Sequence, residues 1–158
     1  MSSRDGQPDT SADALRLAMA VSRLRSRIRV EAGVRSTGLP ISQLAVLNRV
    51  IDEGATTAAA LAAAEHVSHQ AITQSLTALN DRGLVQKAPD PGDRRKSLVS
   101  ATASGRRLSE SLEASRQAWL VRAIDASVEP HERAALAKAI ELLERLADVD
   151  TRPNAEIR

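Results

Sequence analysis

The sequence predicts a mainly α-helical fold with one small β-hairpin. Three observations carry that reading. Trp119 is the only aromatic residue in 158, so the core has to be built from Leu, Ile, Val and Ala, which suits closely packed helices better than a β-sandwich. Apolar residues recur at spacings of three and four through most of the chain, the period of a helix face. The stretch Gln86 to Gly105 breaks that pattern, with two short apolar runs around a Pro/Asp/Gly turn that carries Arg94, Arg95 and Lys96.

The elements follow in order. After a Ser/Asp/Gly-rich start, Leu17, Val21, Leu24 and Ile28 form one stripe of a first helix, which ends near the breakers Gly33, Gly38 and Pro40. Leu44, Leu47, Val50 and Ile51 mark a second helix closed by Gly54, and Thr57 is the N-cap of an alanine-rich third ending near His66. A fourth starts at "VSHQAITQSLTALNDRG", with Ser68 as N-cap and Gly83 just past its end. On this helix Ile72, Leu76 and Leu79 share one side; Gln70, Gln74 and Thr77 fall opposite, flanked by Thr73 and Ala71. Such an outward face is uncharged and rich in hydrogen-bonding groups, whereas a plain solvated face usually carries Lys and Glu.

"LVQKA" and "SLVSA" then read as two strands joined through "PDPGDRRK". From Thr102 the chain is helical again, with Leu108, Leu112, Trp119 and Ala123 on one stripe and a stop near "SVEP". The last helix opens with Pro130 in its first turn and runs through Leu136, Ile140, Leu143 and Ala147. A chain of this length is expected to form one domain, at 12–150, between a disordered tail at 1–11 and a C-terminal tail at 151–158.

There is no cysteine, which excludes disulfides, thiolate nucleophiles and thiol redox switches within the chain. The first residues lack the apolar stretch of a signal peptide and no later run reaches membrane-spanning length, so a cytoplasmic protein without a membrane partner is expected. The net charge of +2 is small, but its distribution is uneven. Arg82, Lys87, Arg94, Arg95, Lys96, Arg106 and Arg107 gather around the hairpin, while acids gather near the C-terminal end at Glu129, Glu132, Glu141, Glu144, Asp148 and Asp150.

Two short helices followed by an outward-polar helix make a helix-turn-helix, and the basic hairpin after it makes a winged one. In such a module Gln70, Gln74, Thr73 and Thr77, with Ser68 and His69 at the helix start, would face the major groove. There Gln pairs bidentately with adenine and Thr or Ser bonds several base edges. The hairpin tip would reach the minor groove, whose A·T-rich stretches attract an inserted Arg.

The run Thr57, Leu61, Ala62, Val67, Ser68, Ile72, Thr73, Leu76, Leu79, Gly83, Leu84, Val85 and Lys87, then Asp93, Arg94, Arg95, Val99, Thr102 and Gly105, resembles the multiple-antibiotic-resistance regulator (MarR) family of winged-helix repressors. The resemblance implies that Arg95 enters the minor groove, that Asp93 orients it through an ion pair, and that Arg94 and Lys96 meet phosphates. It further implies a homodimer on a near-palindromic double-stranded operator, a winged lobe at 41–102, and dimerisation helices at 12–35 and 103–150 through residues such as Leu17, Val21, Leu24, Ile140 and Leu143. A small-molecule effector, commonly aromatic or phenolic, would bind between dimer region and lobe and release the operator. Pro40 departs from the family, which often has a Ser or Thr cap there.

Other roles stand beside these. His69 reads equally as a base or phosphate contact and as an exposed helix-start residue. Trp119 could line a ligand pocket, but packing suits it better. The alternating Arg23, Arg25, Arg27 and Arg29 spread around their helix and suit a solubilising surface at least as well as phosphate contact. His66 and His69 lack the further ligands a zinc site needs, apart from Glu65 or the remote His131, so no metal is expected. No phosphate loop, dinucleotide fingerprint or nucleophile–base pair appears, so neither cofactor nor enzyme activity is expected. The alternative function is a winged-helix dimer that docks a protein through its wing.

Overall fold

The structure, a computed structural model, describes residues 10–93 and 95–149; Arg94 and the segments 1–9 and 150–158 lie outside them. The elements are α1 (Thr10–Glu31), a 3-10 turn (Val34–Thr37), α2 (Ile41–Glu53), β1 (Thr56–Thr57), α3 (Ala58–Ala64), α4 (His69–Asp81), β2 (Val85–Pro89), β3 (Ser97–Ala101), α5 (Ala103–Ser127), a 3-10 turn (Pro130–Glu132) and α6 (Arg133–Ala147). The mainly helical class with a small hairpin holds. Helix α1 begins two residues inside the stretch expected to be a tail. The chain divides into two compact units, one ending at Trp119 and the other starting at Leu120. Among the described residues no helix is long and apolar enough to cross a membrane.

In the first unit α2, α3 and α4 pack on the sheet around Leu47, Val50, Leu61, Ile72, Leu76 and Leu79, each at most 1% exposed. Leu108 and Leu112 of α5 close this core, which is aliphatic throughout, as the single aromatic residue requires. Helix starts follow their caps: the Ala60 N–H donates to Thr57 Oγ1 at 3.2 Å, and the Ala71 N–H to Ser68 Oγ at 3.2 Å. Thr102 does two jobs, accepting the Gly105 N–H at 3.1 Å and donating to the Gly83 carbonyl at 2.6 Å. It thereby ties the start of α5 to the end of α4. Helix α2 starts at Pro40 with no side-chain cap; the Pro40 carbonyl accepts the Gln43 and Leu44 N–H groups at 3.0 and 3.1 Å, and proline's preset φ supplies the entry geometry.

The sheet has three antiparallel strands in the order β1-β3-β2. The hairpin register pairs Val85 with Ala101 and Pro89 with Ser97. Strand β1, which the sequence reading did not foresee, pairs Thr56 with Val99 and Thr57 with Leu98.

Helices α3 and α4 end alike. The Leu84 N–H reaches back to the Leu79 carbonyl and Gly83 to Asn80, while Val67 reaches Ala62 and His66 reaches Ala63; both are Schellman ends. The left-handed position is Gly83 in one (φ 66°) and His66 in the other (φ 53°). Only glycine adopts this conformation without a Cβ penalty. Replacing His66, whose side chain is exposed, by glycine should therefore raise unfolding free energy by about 1 kcal/mol. An unchanged or lower urea midpoint would show that the turn holds no such strain.

In the second unit the Glu129 N–H donates to the Glu132 carboxylate at 3.0 Å, and Arg133 pairs with Asp125 at 2.9 Å. Pro130 opens a 3-10 turn before α6 instead of lying in the helix itself. Ile140 and Leu143 of α6 are exposed, as are Leu17, Val21 and Leu24 of α1 in the first unit.

Candidate nucleic-acid interface

Helix α4 is amphipathic as its spacing requires. Ile72, Leu76 and Leu79 are buried, and Ser68, His69, Gln70, Thr73, Gln74 and Thr77 are exposed. The Thr73 hydroxyl donates to the His69 carbonyl at 2.8 Å and the Thr77 hydroxyl to the Thr73 carbonyl at 2.9 Å. Both hydroxyl protons are committed to the backbone, so each threonine offers outward an acceptor oxygen and a methyl group. Among the described residues neither amide of Gln70 and Gln74 is engaged, which leaves each side chain a donor and an acceptor side by side. That pattern matches the N6–H and N7 edge of adenine.

The wing tip is shaped by two aspartates. Asp90 Oδ1 accepts the Gly92 N–H at 2.7 Å, and Asp93 Oδ1 accepts the Arg95 N–H at 3.0 Å. The other Asp93 oxygen lies 3.9 Å from Lys96 Nζ. The expected ion pair between Asp93 and the Arg95 side chain is therefore absent: the carboxylate folds onto the backbone two residues ahead, as a short acidic side chain does in a turn, and its charge partner is Lys96. Asp93 shapes the loop, and the exposed Arg95 guanidinium has no ion-pair partner among the described residues.

Two other cations differ from the sequence reading. Arg82, counted there with the basic cluster, donates to the Thr37 and Gly38 carbonyls at 3.0 and 3.1 Å, which pins the end of α4 to the loop before α2. Arg49, not singled out there, bonds Glu65 at 2.9 Å and lies 3.8 Å from Glu53; the Glu65 hydrogen bond and charge raise its pKa further. It fastens α2 to the C-terminal cap of α3. Neither tie has a sequence signal, since Glu65 lies 16 positions from Arg49 and the two carbonyls 45 and 44 positions from Arg82.

Several cavities adjoin these elements. One, of about 370 Å³, opens between α4 and the sheet. Another, of about 210 Å³, is lined by Arg29, Val34, Ile41, Leu44, Ser109 and Arg116 among others. Trp119 is half-buried and lies outside the lining of both.

The outward-polar α4, preceded by α2 and α3 and followed by a cation-bearing hairpin, defines a winged helix-turn-helix. Residues 37–96 match the MarR family. An HTH-type transcriptional regulator of Mycobacterium tuberculosis is 36% identical over 132 residues, 84% of this chain and 90% of that protein. A transcriptional regulator of Pseudomonas aeruginosa is 36% identical with a TM-score of 0.79, over 92% of this chain and 100% of that one. Escherichia coli MarR, at 20% identity, shares the fold with a TM-score of 0.64 over 80% and 95% of the two chains. A Staphylococcus aureus MepR variant solved on an oligodeoxyribonucleotide, at 16% identity, shares it with a TM-score of 0.68 over 84% and 96%. The chain belongs to the MarR family of transcriptional regulators.

Proposed function

We propose that the chain is a sequence-specific double-stranded DNA-binding regulator that acts as a homodimeric repressor and leaves its operator when a small molecule binds. The observation that carries this reading is the uncharged, hydrogen-bonding face of α4 beside a wing whose Arg95 is exposed and has no ion-pair partner among the described residues. The oligonucleotide complex of MepR supports the same use of the fold here. Gln70, Thr73, Gln74 and Thr77 read bases, Ser68 and His69 sit at the groove edge, Arg95 enters the minor groove, and Arg94 and Lys96 meet phosphates. The exposed apolar residues Leu17, Val21, Leu24, Ile140 and Leu143 supply the dimer contact, and twofold symmetry sets half-sites about 34 Å apart. The 210 Å³ cavity beside α2 and α5 takes the effector. It need only favour a dimer whose recognition helices mismatch the operator spacing.

Selection of bound sequences from a random duplex pool by the purified protein tests this reading. A near-palindrome with half-sites one turn apart is expected; no motif from folded dimer would favour the protein-docking alternative. On the recovered operator, Arg95→Ala should cost about 1–3 kcal/mol of binding free energy. Unchanged affinity in a titration would remove the wing from recognition.

A further inference from the structure

The groove between α4 and the sheet has an apolar floor that includes Leu76 and Val99. Its rim carries His69 and Thr73 from α4, Lys87 from β2 and Lys96 from the wing's return. Three groups able to carry positive charge thus converge from three parts of the fold on one opening. No carboxylate lines it among the described residues; Asp93 meets Lys96 from the wing at 3.9 Å.

Thr73 lies beside His69 on this rim. Its hydroxyl proton goes to the His69 carbonyl, so toward His69 Nδ1, 3.5 Å away, the same oxygen offers only lone pairs. A contact of 3.5 Å fixes no tautomer, so the neutral ring carries its hydrogen on either nitrogen. A phosphate oxygen is an acceptor and bears negative charge. The doubly protonated ring donates to it from Nε2 with a positive charge of its own, which makes the stronger, charge-assisted bond, and a neighbouring anion favours that form.

We infer that this groove holds one backbone phosphate of the operator, with His69 contributing as imidazolium beside Lys87 and Lys96, so that DNA binding takes up a proton. The inference rests on the operator reading above. Imidazole ordinarily changes charge between pH 5 and 8, whereas lysine stays charged across that range. The contact is therefore complete at the acid end and lost as pH rises. Of the remaining histidines, His66 lies in the turn before α4 and His131 in the second unit.

The experiment is a titration of the full-length protein with the selected operator duplex from pH 5.5 to 8 at constant ionic strength. Wild-type affinity should rise about tenfold toward the acid end. His69→Gln should flatten that profile whatever its absolute affinity, and His66→Gly should keep it. A flat wild-type profile, or a slope that survives in His69→Gln, would overturn the inference. Lys87→Ala and Lys96→Ala should each lower the slope of log affinity against log salt by about one; slopes that do not change would remove the phosphate from the groove. A protein that binds no duplex at any pH would instead overturn the DNA-binding reading itself.

Discussion

Replacing Gly105 by alanine should destabilise the first unit by about 3 kcal/mol. A Cβ at this position would stand 2.2 Å from the Leu84 carbonyl oxygen, 3.1 Å from its carbon and 3.2 Å from Leu47 Cδ1. The Leu84 carbonyl cannot swing aside cheaply, because it accepts the Thr102 N–H at 3.0 Å. The first turn of α5 would have to lift off the start of β2, breaking the Thr102 tie to α4. Alanine's better helix propensity returns only about 1 kcal/mol, so the clash decides the sign. Urea unfolding should show a lower midpoint. Adding Leu47→Ala should not restore it, since the closest atom is backbone; a midpoint at or above wild type would mean that α5 and β2 are not in close contact.

Leu79→Ala should cost about 2–5 kcal/mol, comparable with much of the stability of a small domain. Leu79 is fully buried, and its carbonyl anchors the Schellman end of α4, so truncation opens a cavity where α4 joins the sheet. The same variant should weaken operator binding at 37 °C only through its unfolded fraction, because no α4 surface group is altered. Denaturant unfolding with an unchanged slope would confirm a pure stability effect. A loss below about 1 kcal/mol would show that neighbouring side chains collapse into the space.

Those features of the fold that follow from local chemistry were legible in the sequence. Thr57, Ser68 and Gly83 announce helix ends by residue type alone, and the spacing of Ile72, Leu76 and Leu79 fixes which face of α4 is buried. The hairpin strands were displaced by at most one residue. Features that depend on distant partners were not legible. Strand β1 is two residues long and exists only because β3 lies beside it, and Arg82 finds carbonyls more than forty positions away. Asp93 had two competing partners within three residues, a side-chain charge and a backbone N–H, and spacing alone cannot rank them. His66 hides a left-handed turn because no glycine marks it. For the candidate site, the outward residues of α4 were readable from periodicity, but the groove that joins His69 to Lys87 and Lys96 needs the sheet to be folded first.

Thr57 belongs to two structures at once: it pairs with Leu98 of the hairpin's inner strand and its hydroxyl caps α3. The base of the wing and the entrance to the helix-turn-helix therefore share a residue and cannot shift independently. The tip between Asp90 and Lys96 closes on its own hydrogen bonds and is free of that constraint. Tips of different length or charge could be exchanged there as cassettes; on the proposed reading this retunes minor-groove preference while α4, the proposed major-groove reader, stays in place.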